Sequence, residues 1–401
     1  MRQLPLLVQL HEIHAYPPSL LNRGADSAPK SAWFGNAPRG LVSSQCLKRN
    51  IRTGLADAYD PGDLSVRSKQ YATLVATALD ELDATADEKN VVVAAITTGL
   101  GRKLAKPSKA GKQSKKLAVV ADDDADALPA DETTETEEKE NEKEMMIFLG
   151  RTEARELADK LLSALRSETA RGTPAGAIAN DLLGLVGWTT PREVDLALFG
   201  RMTVGAPLPT VDAAVYAAFA VTVNSVTPQI DWWNAIDDLS TTRAAGHIGE
   251  LAFQGNPVYY NYYAIDVDQL RHNLGDNLAQ AVRAVQAFVR SAPLARPTGK
   301  AHGFAPFTVP SLVLVEVGRT QALNGVNAFE TPVRSSGQTT LTRAAAERLG
   351  AHLQKIQMAF GLNSERRMWW DAEPDANLGL AAVRAKTLDE VAQWVGHQLT
   401  G

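Results

Sequence analysis

Between Arg102 and Glu144 the chain carries a segment that no compact core can absorb. Residues 102 to 116 hold seven lysines and arginines and no acid, a block of +7, whereas residues 122 to 144 hold twelve acids and two lysines, a block of −10. The stretch is poor in aromatics and cannot bury enough apolar surface to offset the entropy of ordering it. We therefore expect a low-complexity, disordered or extended insertion at about 103–144, its two halves partly neutralising each other. The consequence is topological. Helical periodicity resumes on the far side, so the helices before and after the insertion belong to one lobe that it splits.

From about residue 60 to 100 the pattern is helical, with Tyr71, Leu74, Val75, Leu79 and Leu82 on one face. It returns at Met145, where "MMIFLGRTEARELADKLLSALR" spaces its apolar residues for an amphipathic helix. Upstream, Leu4 to His14 reads as a strand, followed by a long proline-containing loop to Gly40 and a helix starting at Ser43 and Ser44, serine being an N-cap signal. Downstream, a polar, tryptophan-bearing stretch from Thr227 to Pro257 leads into "VYYNYYAIDV", which reads as a strand rich in aromatics. A helix over Val267–Val289, a strand over Leu312–Val317 and a helix over Arg343–Ala359 follow. A last helix opens with the capping box Thr387–Glu390. The succession strand, helix, strand, strand, helix, strand predicts an α+β fold on a ferredoxin-like or RNA-recognition sheet with insertions.

At 401 residues the chain can build a large core, and 45% hydrophobic with 22% charged residues is the composition of a globular protein. Its longest apolar run, from Ala213, is too short to span a bilayer, so no membrane span is expected. The N-terminal segment is interrupted by Gln9, His11 and Glu12 and lacks the centre of a signal peptide. The single cysteine, Cys46, excludes an intrachain disulfide and suits a cytoplasmic location. Phosphate-loop, HExxH and paired CxxC signatures are absent. "HEIH" does not read as a metal site: on a strand, His11 and His14 face opposite sides, one expected in the sheet and one at the surface. "TTGLGRK" at Thr97 follows a helical stretch rather than a strand and is a weak phosphate signal.

The overall charge of −5 hides a first segment, residues 1 to 52, with seven basic residues against Glu12 and Asp26, a local +5. At its centre lies "RGLVSSQCLKR". A helix start leaves backbone N–H groups open and carries partial positive charge, so phosphate binds there readily. Ser43, Ser44 and Gln45 sit at that start, with Lys48, Arg49 and Arg52 one to two turns on and Lys48 and Arg52 on one face. This arrangement suits either a grip on a sugar-phosphate backbone that reads no bases or an ordinary capped surface helix.

The run "HAYPPSLLNRGADSAPKSAWFGNAPRGLVSSQCLKRNIR", with "DLALFGRM", "IDWWNAIDDL", "AAGHIGELAF" and "VNAFETPV" in the same order, closely resembles the CasC family, the repeated backbone subunit of the type I-E CRISPR Cascade complex. The resemblance implies a hand-shaped protein with an RNA-recognition palm, a helical fingers lobe and a projecting thumb. On this chain the palm would take residues 1–58, 209–226 and 257–401, the fingers 59–208 and the thumb 227–256. It implies a non-enzymatic, RNA-binding scaffold that forms a helical filament with further copies of itself on one CRISPR RNA. That scaffold would work in a ribonucleoprotein with other Cascade subunits, in antiviral defence. The guide's bases stay free to pair with a target DNA strand. Arg23, Lys30, Ser43, Gln45, Lys48, Arg49 and Arg52 match the family's guide-contacting positions, and Met202 matches a methionine inserted beside kinked bases. Trp232, Trp233, His247 and Ile248 match the thumb region that displaces a base. No catalytic residue, metal or cofactor is implied. The competing expectation is a metal-dependent ribonuclease subunit using Asp26, which lies in the loop where related backbone proteins cut RNA.

Overall fold

The structure is a computed structural model that describes residues 4–102, 146–173, 178, 182–186, 191–203, 208–238, 245–362, 366–372 and 377–401. The insertion expected at 103–144 lies outside them.

Thirteen strands are found among the described residues: β1 (Leu6–Ala15), β2 (Ser31–Phe34), β3 (Ala37–Val42), β4 (Ser65–Ser68), β5 (Ile147–Gly150), β6 (Val215–Ala217), β7 (Ala220–Thr222), β8 (Pro228–Ile236), β9 (Ala245–Gln254), β10 (Val258–Asp266), β11 (Leu312–Arg319), β12 (Arg366–Asp371) and β13 (Val383–Arg384). The helices used below are α1 (Ser44–Gly54), α2 (Tyr71–Glu81), α3 (Ala86–Arg102), α4 (Arg151–Ala170), α5 (Val194–Phe199), α6 (Val267–Asn273), α7 (Leu278–Ser291), α8 (Ala301–Phe304), α9 (Leu341–Phe360) and α10 (Leu388–Thr400).

A mixed sheet forms the centre, in the order β13-β12-β11-β1-β10-β7-β3-β2, with β6 also on β10. Only β12 and β13 run parallel. At its middle, β11 and β10 flank β1, each antiparallel to it, and β6 and β7 lie beyond β10. The sheet is covered on both sides. On one face Val8 and Leu10 pack with Leu47 and Ile51 of α1, Val285 and Phe288 of α7 and Val391 and Val395 of α10. On the other, Ile13, Tyr260 and Leu314 pack with Phe329 and with Leu349 and Leu353 of α9.

Being covered twice, β1 buries its polar residues too, and each finds a partner. Gln9 Oε1 accepts from Tyr262 Oη at 2.7 Å, and Asn261 Nδ2 donates to Glu12 Oε2 at 2.9 Å. His11 Nδ1 meets Tyr260 Oη at 2.8 Å while its Nε2 lies 3.3 Å from Glu316. Burial alone would raise the Glu316 carboxyl, but His11, Arg367 and Gln357 outweigh it and hold its pKa at about 2. His14 bonds Thr308 at 3.1 Å and is 2% exposed, so the surface histidine expected in "HEIH" is instead interior. Burial pushes its pKa down to about 3.

A second core lies outside the sheet. Val75 and Leu79 of α2, Val92 and Ile96 of α3, Leu149 of β5, and Leu157 and Leu161 of α4 form a helical cluster. The two-stranded ribbon of β4 and β5 borders it.

Four local expectations are corrected. The loop expected from residue 15 to 40 contains the β2–β3 hairpin, whose turn uses Gly35 at φ +62. The helix expected from Met145 begins as β5, because Ile147–Gly150 pairs with Ser65–Ser68 before α4 starts. The helical run before the insertion is two helices, broken after Leu82 where Asp83 takes φ +53. The helix expected over Val267–Val289 is likewise α6 and α7, separated by Gly275 and Asp276, both at positive φ.

Candidate nucleic-acid interface

Helix α1 is pinned by its apolar side. Leu47 and Ile51 are 3% and 0% exposed, each such burial contributing roughly 1.5–3 kcal/mol, which leaves the opposite side to solvent. Ser43 is the N-cap: its Oγ accepts from Cys46 N at 3.3 Å, and its own N–H donates to Asn22 Oδ1 at 3.0 Å. Leu47 N donates to Ser43 O, so among the first-turn amides those of Ser44 and Gln45 have no partner among the described residues. Ser43 is therefore buried and occupied, while Gln45 is exposed. Lys48 is half-buried with an ammonium that has no partner among the described residues, and Arg49 is exposed.

The first loop is tied to this helix. Lys30 N donates to Asn22 O at 2.9 Å, Leu41 N donates to Lys30 O at 2.8 Å, and Arg23 bridges to Pro29. Asn22 therefore fixes both Lys30 and the start of α1. Arg23, Lys30, Gln45, Lys48 and Arg49 thus belong to one cationic region carrying two open amides, and no acid of α1 offsets it.

Arg52 has a different set of partners. Its Nε donates to Asp195 Oδ2 at 2.6 Å, its Nη2 donates to Ser65 O at 2.6 Å, and its guanidinium covers the Phe148 ring at 4.9 Å. It joins α1 to α5 and to the β4–β5 ribbon. A second arginine does similar work nearby. Arg201, 3% exposed, is bidentate to Glu153 at 2.7 and 2.9 Å and also donates to Phe148 O and Pro209 O. Gly200 before it has φ +78, and a Cβ there would meet Val211 O at 2.8 Å, so only glycine fits this turn. Met202 follows this anchor directly and is 82% exposed, a large apolar side chain held out from a fixed backbone.

The tryptophan-bearing segment is the β8–β9 hairpin, with every residue of β8 exposed. Its register pairs Trp232 with Glu250, Trp233 with Gly249 and Asn234 with Ile248. Pairing and alternation place Ile230, Trp232 and Ile248 on one face, each more than 60% exposed. Trp233 lies on the other, over Gly249, where a Cβ would stand 2.5 Å from the indole. His247 belongs to β9, and its side chain lies outside what is described. At the root, Phe253 meets Phe304 of α8 at 5.7 Å between ring centres, beside a cavity of about 630 Å³ lined by Asn224, Gln229 and Asp231. Residues 227–238 and 245–256 hold Asp231, Asp237, Asp238 and Glu250 and no lysine or arginine. The described part of this hairpin offers a polynucleotide apolar surface rather than positive charge.

Two residues of the β2–β3 hairpin were not foreseen. Trp33 is 75% exposed, whereas Arg39 is fully buried and donates to four carbonyls, those of Thr222, Val223, Phe329 and Glu330. Burial and the nearby Arg348 depress the Arg39 pKa. The sheet itself offers no stacking platform on its central strand: Tyr259, Tyr260, Tyr262 and Tyr263 are at most 5% exposed. Asp26 is exposed, and its Oδ1 accepts from Ala28 N at 3.2 Å within the loop. Among the described residues no three His, Cys, Asp or Glu side chains are grouped so as to hold a metal ion, and no helix is long and apolar enough to cross a membrane.

Comparison with solved structures places this architecture in a class. The fold is similar to a chain of a "CRISPR RNA-guided surveillance complex, pre-nicking", with a TM-score of 0.73 and 25% identity over 98% of this chain and 100% of that one. A chain of a second "CRISPR RNA-guided surveillance complex" shares the fold at a TM-score of 0.63, with 23% identity over 98% and 99% of the two chains. No curated protein matches the chain. The chain belongs to the CT1975-like protein family, which it matches over residues 8–394, and this is the CasC-type backbone family that the sequence resembles.

Proposed function

We propose that the chain is a non-catalytic CRISPR RNA-binding backbone subunit of a type I-E Cascade surveillance complex, polymerising along the guide and presenting its bases to a target DNA strand. The observation that carries this reading is the cationic start of α1. Lys30 and Lys48 have ammonium groups without a partner among the described residues, Arg23 and Arg49 stand with them, and the amides of Ser44 and Gln45, likewise without a partner there, add donors. Phosphate oxygens accept from the two ammonium groups and the two amides at once, without reading a base.

In this reading the sheet around β1 is an RNA-recognition palm. Its usual stacking face is closed by α9, which moves RNA contact to the palm's edge. The helical cluster is the fingers lobe and the β8–β9 hairpin is the thumb. Met202, Trp232 and Ile248 supply apolar contacts to displaced bases, a stack on Trp232 contributing about 1–3 kcal/mol. Ser43 and Arg52 serve the same site indirectly, one by capping α1 and the other by tying it to the fingers. Isolation of the protein with its neighbouring subunits tests the proposal: it predicts one discrete small RNA on a denaturing gel, and assemblies without polynucleotide would refute it.

A further inference from the structure

The β2–β3 hairpin presents an aromatic that none of the contacts above uses. Trp33 is three-quarters exposed on β2, the last strand of the sheet. Its register pairs it with Pro38, so Trp33, Ser31, Pro38 and Gly40 share one face, while Ala32 and the buried Arg39 share the other.

That hairpin is held firmly. The Arg39 guanidinium donates to Thr222 O at 2.7 Å and Phe329 O at 2.6 Å, and sits 5.7 Å from the Phe34 ring centre. At the turn, a Cβ on Gly35 would lie 1.8 Å from Glu330 O, so the backbone is seated directly on that carbonyl. On the Trp33 face, Gly40 is packed against the Gln254 amide, whose Nε2 donates to Lys30 O at 3.5 Å. Val226 N donates to Pro38 O at 3.1 Å, immediately before the thumb hairpin begins. Trp33 therefore stands on a rigid frame with Lys30 directly before its own strand and the thumb root bonded to its cross-strand partner.

Resting on the function proposed above, we infer that Trp33 is a stacking platform for a nucleobase of the single strand that the Lys30–Lys48 region holds. The occupant follows from the surroundings. A rigid indole near lysines whose ammonium groups have no partner among the described residues is the combination that binds single-stranded nucleic acid, aromatic faces taking bases while cations follow the backbone. A protein partner fits less well, because Lys30, directly before β2, has no ion-pair partner among the described residues and an apolar interface would have to desolvate it.

The full-length protein is tested with a 30-nucleotide single-stranded RNA containing 5-iodouridine, and with DNA of the same sequence containing 5-iododeoxyuridine. Near-ultraviolet irradiation couples the halogenated base to a stacked aromatic, and the attached peptide is identified by mass spectrometry. Coupling at Trp33 in either arm is expected, and the arm in which it occurs identifies the polymer. Trp33→Ala is expected to weaken binding of the coupled probe roughly tenfold and Trp33→Phe less than threefold. Unchanged affinity of Trp33→Ala, no adduct at Trp33 in either arm, or a change in assembly size alone would overturn the inference. Lys48→Ala/Arg49→Ala is the control: if it loses RNA binding and Trp33→Ala does not, only the platform fails. If the control itself binds normally, the proposed function fails.

Discussion

Removing one partner of the Arg201–Glu153 pair tests how the exposed Met202 is held in place. The two side chains are 2% and 1% exposed and joined by two hydrogen bonds of 2.7 and 2.9 Å. Arg201→Met strands the Glu153 carboxylate in the interior beside Glu193, whose own pKa is raised by its burial and by Glu153. It also removes the donors to Phe148 O and Pro209 O. An uncompensated buried charge of this kind costs about 3–5 kcal/mol. The double variant Glu153→Leu/Arg201→Met has no stranded charge. It retains the cost of the two bare carbonyls and of the Gly150 N–H that donated to Glu153 Oε2 at 3.4 Å, about 1–3 kcal/mol for each group left bare, but no buried charge, so it is expected to be more stable than Arg201→Met alone. Urea unfolding of the wild type, both single variants and the double variant closes the cycle. An Arg201→Met protein within about 0.5 kcal/mol of wild type, or singles that simply add up in the double variant, would show that the pair does not hold this turn.

Other outcomes follow from the same structure. Arg52→Ala is expected to lower stability by about 3 kcal/mol, since it leaves Asp195, 1% exposed, without its charge partner; unchanged unfolding with lost RNA affinity would return Arg52 to the phosphate-contacting set. Burial raises the Glu12 carboxyl to about 7, partly offset by the bond from Asn261. Its contribution is thus complete below pH 4.5 and lost as pH rises through 7. Glu12→Gln should therefore gain on wild type by up to about 3 kcal/mol between pH 4.5 and 8, and a flat difference in urea unfolding would contradict this. Asp26→Ala is expected to leave RNA binding intact, and the purified wild-type complex is expected to cut no RNA with or without magnesium; metal-dependent cleavage lost on this substitution would establish the nuclease alternative.

Much of the sheet was legible in the sequence because long strands write their period plainly. "LLVQLHEIHA" and "VYYNYYAID" became β1 and β10. The β2–β3 hairpin was hidden inside a proline-containing loop, although Gly35-Asn36 between Phe34 and Ala37 is a two-residue turn signal. Strand β5 was masked because its four residues continue a helical apolar period into α4, and only pairing with β4 decides between them. At the site, the spacing put Lys48 and Arg52 on one face of α1, where both are half-buried. It could not show that Asp195, 143 residues later, reaches Arg52. The two tryptophans of "DWWN" were separable only once the register put Gly249 under Trp233. Arg39 carried no signal of burial, since its partners are backbone carbonyls that any sequence supplies.

The most direct test of the account is the RNA content of assemblies carrying Lys48→Ala/Arg49→Ala, purified with their partner subunits and compared with wild type. The account predicts a large loss of the bound small RNA, and for the residual binding a salt dependence shallower by about 1.4 in logarithmic slope, two phosphate contacts having been removed. RNA content and salt slope equal to those of wild type would contradict it.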